Sequence, residues 1–203
     1  RERLAAQKKM YEIELAEQQA QIMAYRNQIN PHFLYNTFEC IRSMALYYDM
    51  DDIAEVTMAL AHIFRFAVKA GEVVSVEDEI AYVQEYARII EYRFMGKIDI
   101  CVEAEDAVRR KKVIKLLLQP IIENAVFHGL EQKVDEGEVN VSIRMKDASH
   151  IEFIIEDNGC GMNGERLKCL LAALPGKAQG GIGLTNIYHR LKLFYGEDVV
   201  FDI

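Results

Sequence analysis

Ile154-Ile155-Glu156-Asp157-Asn158-Gly159-Cys160-Gly161-Met162 decides how the rest of the chain is read. An apolar run ends in a carboxylate and passes straight into a glycine turn. The run from Ile151 to Asp157 has the period of a strand. It delivers Asp157 to the end of a sheet, where a carboxylate can accept a hydrogen bond from an exocyclic amine such as that of adenine. Gly161 lets backbone approach a flat ring without a Cβ in the way. An Asp-Asn-Gly turn alone is common, so its neighbours must decide.

Upstream stands Gln119-Pro120-Ile121-Ile122-Glu123-Asn124-Ala125-Val126-Phe127-His128-Gly129. On a helix, Asn124 and His128 are four apart and share a face, while Glu123 points about 100° away from Asn124. The Asn124 amide oxygen is a hard ligand of the kind Mg²⁺ accepts. Downstream stands Gln179-Gly180-Gly181-Ile182-Gly183-Leu184-Thr185-Asn186-Ile187. Glycines ahead of a helix present backbone N–H groups and the positive helix end to an anion such as a triphosphate. Each stretch alone is a weak signal. Their order is the strong one.

Near the start of the chain is Asn30-Pro31-His32-Phe33-Leu34-Tyr35-Asn36. A proline inside a helical pattern costs about 3 kcal/mol. The expectation is that Pro31 loosens a continuous helix beside His32 and frees the carbonyl of Asn27. Asn36 lies one turn later on the same face.

The order E-N-A, D-N-G-x-G, G-x-G-L resembles the ATP-binding fold shared by gyrase, Hsp90, histidine kinases and MutL. With N-P-H-F-L-Y-N upstream, the chain is similar to the sensor histidine kinases of the LytS/YehU type, from about Gln21 to Ile203. The resemblance implies an α+β chain: a helical-hairpin dimerisation domain, a four-helix bundle in the homodimer, then an α/β-sandwich ATP-binding domain. It implies ATP-dependent autophosphorylation on His32, with Asn36 at its side, and transfer to an aspartate on a response regulator receiver domain. The nucleotide residues it implies are Glu123, Asn124, His128, Asp157, Gly159, Gly161, Gly181, Gly183 and Leu184. Asn124 would hold Mg²⁺, and the lid would run from about Asn163 to Gly180.

Three departures from the family pattern bear on mechanism. Phe33 stands where an acid often follows the acceptor histidine. Pro120 stands where ATPases of this fold carry a catalytic glutamate, which argues against a water-activating ATPase. Phe127 stands where a Lys or Arg often neighbours the phosphates. The alternative reading is a dimeric nucleotide-binding interaction module without phosphoryl transfer.

The remaining sequence frames these sites. Among 203 residues, 51% are hydrophobic and 28% charged, so a packed core is expected. Twenty-four basic against 32 acidic residues give a net charge of −8, which disfavours nucleic acid as a partner. Cys40, Cys101, Cys160 and Cys169 lack metal or redox spacing and read as free thiols of a reducing compartment. No apolar run reaches the roughly 20 residues a membrane span needs. Leu4, Tyr11, Leu15, Ile22, Tyr25 and Ile29 fall on one heptad seam and predict a coiled coil. The chain opens mid-pattern and reads as the cytoplasmic part of a longer bacterial membrane protein, with the membrane reached through segments upstream. The texture changes near Ser75. This gives a coiled coil and helical hairpin over residues 1–74 and a catalytic domain over 75–203, with the family's sheet expected to continue past Ile203.

Within these domains the patterns predict helices to Tyr48, over Asp52–Lys69, to Phe94, over Val113–Leu130, Asn163–Leu174 and Leu184–Tyr195. Strands are expected over Lys97–Glu103, Glu138–Met145, Ile151–Asp157 and from Val199.

Overall fold

The computed structural model describes residues 30–69, 71–131, 133, 135–174 and 182–203. The predicted coiled coil before Asn30 lies outside these residues. The described chain falls into two compact units divided after Thr57.

The first unit is a helix–turn–helix. Helix α1 runs Pro31–Tyr47 and α2 runs Asp51–Val68. Asn30 is extended, and its side chain accepts from the N–H groups of His32 and Phe33 at 3.1 and 3.3 Å. Leu34 N then donates to Asn30 O. Pro31 is therefore the first helical residue, where a missing N–H would be unsatisfied in any case and the fixed φ already suits a helix. This corrects the expectation of a mid-helix break: the proline opens α1 and does not loosen it. At the other end Met50 N reaches back to Ala45 O, with Asp49 left-handed at φ 54°. That geometry closes the helix and turns the chain into α2. Ala45, Ala54 and Thr57 are buried, while Phe33, Ile41, Met44 and Tyr47 stay exposed.

The second unit begins within α2, whose later turns belong to it. Strand β1 (Val73–Ser75) leads into α3 (Val76–Arg93). Ser75 and Asp78 satisfy each other's backbone N–H in a capping box. His62 Nδ1 meets Glu85 at 2.8 Å, joining α2 to α3. Next come β2 (Ile98–Ala104), the single turn α4 (Asp106–Arg109) and β3 (Lys112–Ile114), which pairs antiparallel with β1. Helix α5 (Gln119–Asn124) passes directly into a π-helical turn, Ala125–Leu130. Strands β4 (Gly137–Met145) and β5 (Ile151–Asp157) follow, then α6 (Gly164–Ala173), α7 (Ile182–Tyr195) and a 3₁₀ turn.

The main sheet has the order β2-β4-β5, parallel then antiparallel. Period two divides its faces. Val139, Val141 and Ile143 of β4 are buried in one core with Val83, Ile90, Ile122 and Val126. Glu138, Asn140 and Arg144 face away, exposed. Asp157 pairs with Val139, which puts it on the helix-covered face at the very end of the sheet. The α+β class with an α/β-sandwich domain is the observed fold.

Two local expectations are corrected. Val113–Leu130 is not one helix: Val113 and Ile114 complete β3, and Leu116 is left-handed at φ 56° before α5 starts. Val199–Ile203 forms no strand. Helix α3 also ends unusually. Gly96 N donates to Glu91 O, and the left-handed place before it is filled by Met95, φ 54° and fully exposed. Glycine is the residue that suits this position. Met95→Gly should raise stability by about 0.5–1 kcal/mol, the left-handed penalty less the entropy glycine adds to the unfolded chain. A shift in urea midpoint at constant m measures it, and no gain or a loss would refute it.

Candidate nucleotide site and phosphoacceptor

The second unit brings the E-N-A helix and the Asp157 turn into direct contact. The means is the π turn. Glu131 N reaches five residues back to Val126 O, and the widened turn carries Gly129 onto the 157–160 loop. Gly129 O accepts from Cys160 N at 3.0 Å, and Cys160 Sγ lies 3.4 Å from His128 O. A Cβ on Gly129 would sit 2.9 Å from Asp157 Oδ1. A Cβ on Gly159 would sit 2.5 Å from Gly129 O and 2.6 Å from Asp157 Oδ1. Both glycines are thus spaces cleared for one carboxylate. Gly159 N donates to Asp157 Oδ1 at 2.9 Å, which fixes the rotamer. Asp157 itself remains exposed to an incoming donor. Gly161 is left-handed at φ 66° with nothing within 4 Å of its Cβ position, so its demand is conformational, not steric.

Glu123 and Asn124 sit half-buried where α5 becomes the π turn. Gln119 donates to Glu123 at 2.7 Å. Burial first, and the charge of Glu123 second, push the Tyr86 phenol up to about 12. His128 is exposed. The first turn of α7 packs on α5, with the Cβ position of Gly183 3.8 Å from Pro120 O. Gly183 is exposed, whereas Leu184 is buried in the packing. Gly181 and most of the glycine loop lie outside the described residues, as do residues 175–180 at the end of the expected lid. Residues from β5, the π turn and α5 therefore do converge on one end of the sheet.

No group of three or more His, Cys, Asp or Glu side chains forms a metal cage among the described residues.

In the first unit, His32 is exposed in the first turn of α1. Its Nδ1 lies 3.3 Å from Asn36 Nδ2. Gly129 is a supporting residue that the motif reading did not single out, although it was within reach as the glycine closing the E-N-A stretch.

Two families match the chain in tandem: one described as histidine kinase over residues 20–98, the other as histidine kinase-, DNA gyrase B- and HSP90-like ATPase over residues 110–201. The chain belongs to the sensor histidine kinase family, LytS/YehU type. The sensor histidine kinase YesM of Bacillus subtilis is 31% identical over 92% of this chain and 31% of its own length. The sensor protein LytS of Oceanobacillus iheyensis is 31% identical over 89% of this chain and 31% of its own. Among solved structures, the histidine kinase domain of a blue-light activated histidine kinase from Erythrobacter litoralis covers 89% of this chain and 82% of that one, with 17% identity and a TM-score of 0.42. The chain spans about a third of the length of these curated relatives. The span that matches the ATPase family, residues 110–201, lies within the second unit. No described helix is long and apolar enough to cross a membrane.

Proposed function

We propose that this chain is the cytoplasmic catalytic core of a membrane-anchored two-component sensor kinase, phosphorylating His32 from ATP and passing the phosphoryl group to a response-regulator aspartate. The observation that carries it is His32: an exposed imidazole whose Nδ1 lies against Asn36, with Nε2 outside that contact. A half-turn of the Asn36 amide presents its oxygen to an Nδ1–H, which puts the lone pair on Nε2. Nε2 attacks the γ-phosphorus, the N–P bond forms as the bond to the β-phosphate oxygen breaks, and ADP leaves. The imidazole proton passes to solvent, so no acid at Phe33 is required. His32 lies at the positive end of α1, which favours the anionic phosphoryl group it receives.

Asp157 would take the adenine amine, with Gly159 and Gly161 shaping its turn. Asn124 would hold Mg²⁺ beside the phosphates, where the ion would offset their charge, with Glu123 beside the nucleotide. His128, Gly181, Gly183 and Leu184 complete the nucleotide surroundings. Such transfer rests on positioning and charge neutralisation, not on covalent help from the protein. Pro120, in the place of a water-activating glutamate, supports transfer over hydrolysis. The exposed Phe33, Ile41, Met44 and Tyr47 support a homodimer through the hairpin.

The test is incubation with γ-labelled ATP and Mg²⁺. Label that is acid-labile and alkali-stable is expected. ATP binding without label would favour the interaction-module reading, for which Phe33 and Phe127 are the motivating departures.

A further inference from the structure

A triphosphate carries several negative charges, and the E-N-A helix adds Glu123 to them while supplying no lysine or arginine. Phe127, less than one turn beyond Asn124, is apolar. A cation nevertheless stands on this helix. The Arg93 guanidinium lies 4.8 Å over the Phe127 ring and 5.5 Å from that of Phe94. The two rings are themselves 6.4 Å apart. A cation–π contact engages the guanidinium through its charge and consumes none of its five N–H donors, so these remain available to an oxyanion.

Three further observations point the same way. Arg93 is more than half exposed, and its ion pair with Glu131 is long at 4.0 Å, so little holds it against a stronger anion. The Tyr86 hydroxyl is buried and meets no hydrogen-bond partner among the described residues. The charges of both Glu123 and Arg93 act on that phenol, which puts Arg93 within electrostatic reach of the residue next to Asn124.

We propose that Arg93, held over the Phe127 ring, is a nucleotide-polyphosphate ligand of this chain, supplying from α3 the positive charge that the E-N-A helix lacks. The proposal rests on the nucleotide site described above. The pair works as a unit: Phe127 positions and Arg93 binds.

Calorimetric titration with Mg-ATP, and NMR titration with adenosine, separate phosphate contact from base contact. Arg93→Ala should weaken ATP roughly tenfold or more, as expected for one charge-assisted hydrogen bond, while adenosine still shifts the amides around Asp157 as in the wild type. Phe127→Lys in the Arg93→Ala background should return part of the ATP affinity. ATP affinity unchanged in Arg93→Ala would overturn the proposal, as would equal weakening of ATP and adenosine, which marks a structural stack. Wild-type chain that binds adenosine but not ATP would also overturn it. Wild-type chain that binds neither would remove the nucleotide site itself, and the proposal with it.

Discussion

His32→Ala is expected to incorporate no phosphate from γ-labelled ATP, while Asn36→Ala incorporates it about tenfold more slowly than the wild type. The first result follows from chemistry. An acid-labile, alkali-stable bond needs a nitrogen nucleophile, and under the proposed function that nucleophile is the exposed first-turn imidazole of His32. The second follows from the 3.3 Å contact between Asn36 Nδ2 and His32 Nδ1. With the amide turned so that its oxygen accepts from Nδ1–H, that contact ties one ring nitrogen and leaves the other as the nucleophile. Removing it frees ring rotation and mixes the tautomers, and one orienting hydrogen bond is worth about 1.4 kcal/mol, hence the tenfold. Both substitutions fall in the first compact unit, so ATP affinity should stay at the wild-type value. Label persisting in His32→Ala would place the acceptor elsewhere. An Asn36→Ala rate equal to wild type would show that the ring needs no support.

What the sequence made legible here was local. Asp157 and its turn could be read because strand period and glycine turn adjoin each other, and β5 does end at Asp157, paired with Val139. Pro31 was misjudged because the same dipeptide, Asn30-Pro31, serves equally as a break within a helix or as cap and first residue of a new one. The cap hydrogen bonds at Asn30 decide between them. The run Val113 to Leu118 was assigned to a helix because an unbroken apolar run has no period to follow. A strand, a left-handed leucine and a helix start share it. Arg93 on Phe127 joins two segments far apart in the chain, and nothing local announces such a pair. Glu79 was the least legible of all. In Val76-Glu77-Asp78-Glu79 it reads as one of three acids in a solvated first turn, yet it is wholly buried.

Glu79→Ala should therefore be among the most damaging substitutions in the second unit, costing about 3–5 kcal/mol. The Glu79 carboxylate accepts from the backbone N–H groups of Leu116, Leu117 and Leu118. Helix α5 has no side-chain cap of its own, so this residue from α3 takes that place. It also holds Leu116 in its left-handed conformation. The same turn is gripped from its carbonyl side by Arg190 of α7, which donates to Lys115 O at 2.6 Å and Leu116 O at 3.4 Å. Lys115 Nζ in turn donates to Ala67 O and Lys69 O at the end of α2. Alanine at 79 would leave buried donors unsatisfied at about 1–3 kcal/mol each, partly relieved by relaxation of the turn. Glu79→Gln keeps the volume but turns one acceptor into a donor, so an intermediate loss is expected. Burial pushes the Glu79 carboxyl up, against the pull of its three N–H donors and Arg190. A carboxyl raised in the folded state binds its proton more tightly there than when unfolded. Its contribution is full below the ordinary glutamate value and declines as pH rises through the raised one. The deficit of Glu79→Gln should consequently narrow with rising pH across that interval. Urea unfolding of the three chains at several pH values measures this, and Glu79→Ala within 1 kcal/mol of wild type would show that the turn stands without its carboxylate. Because the turn it anchors sets where α5 begins, loss of Glu79 should also loosen Glu123 and Asn124, and ATP affinity should fall in parallel with stability.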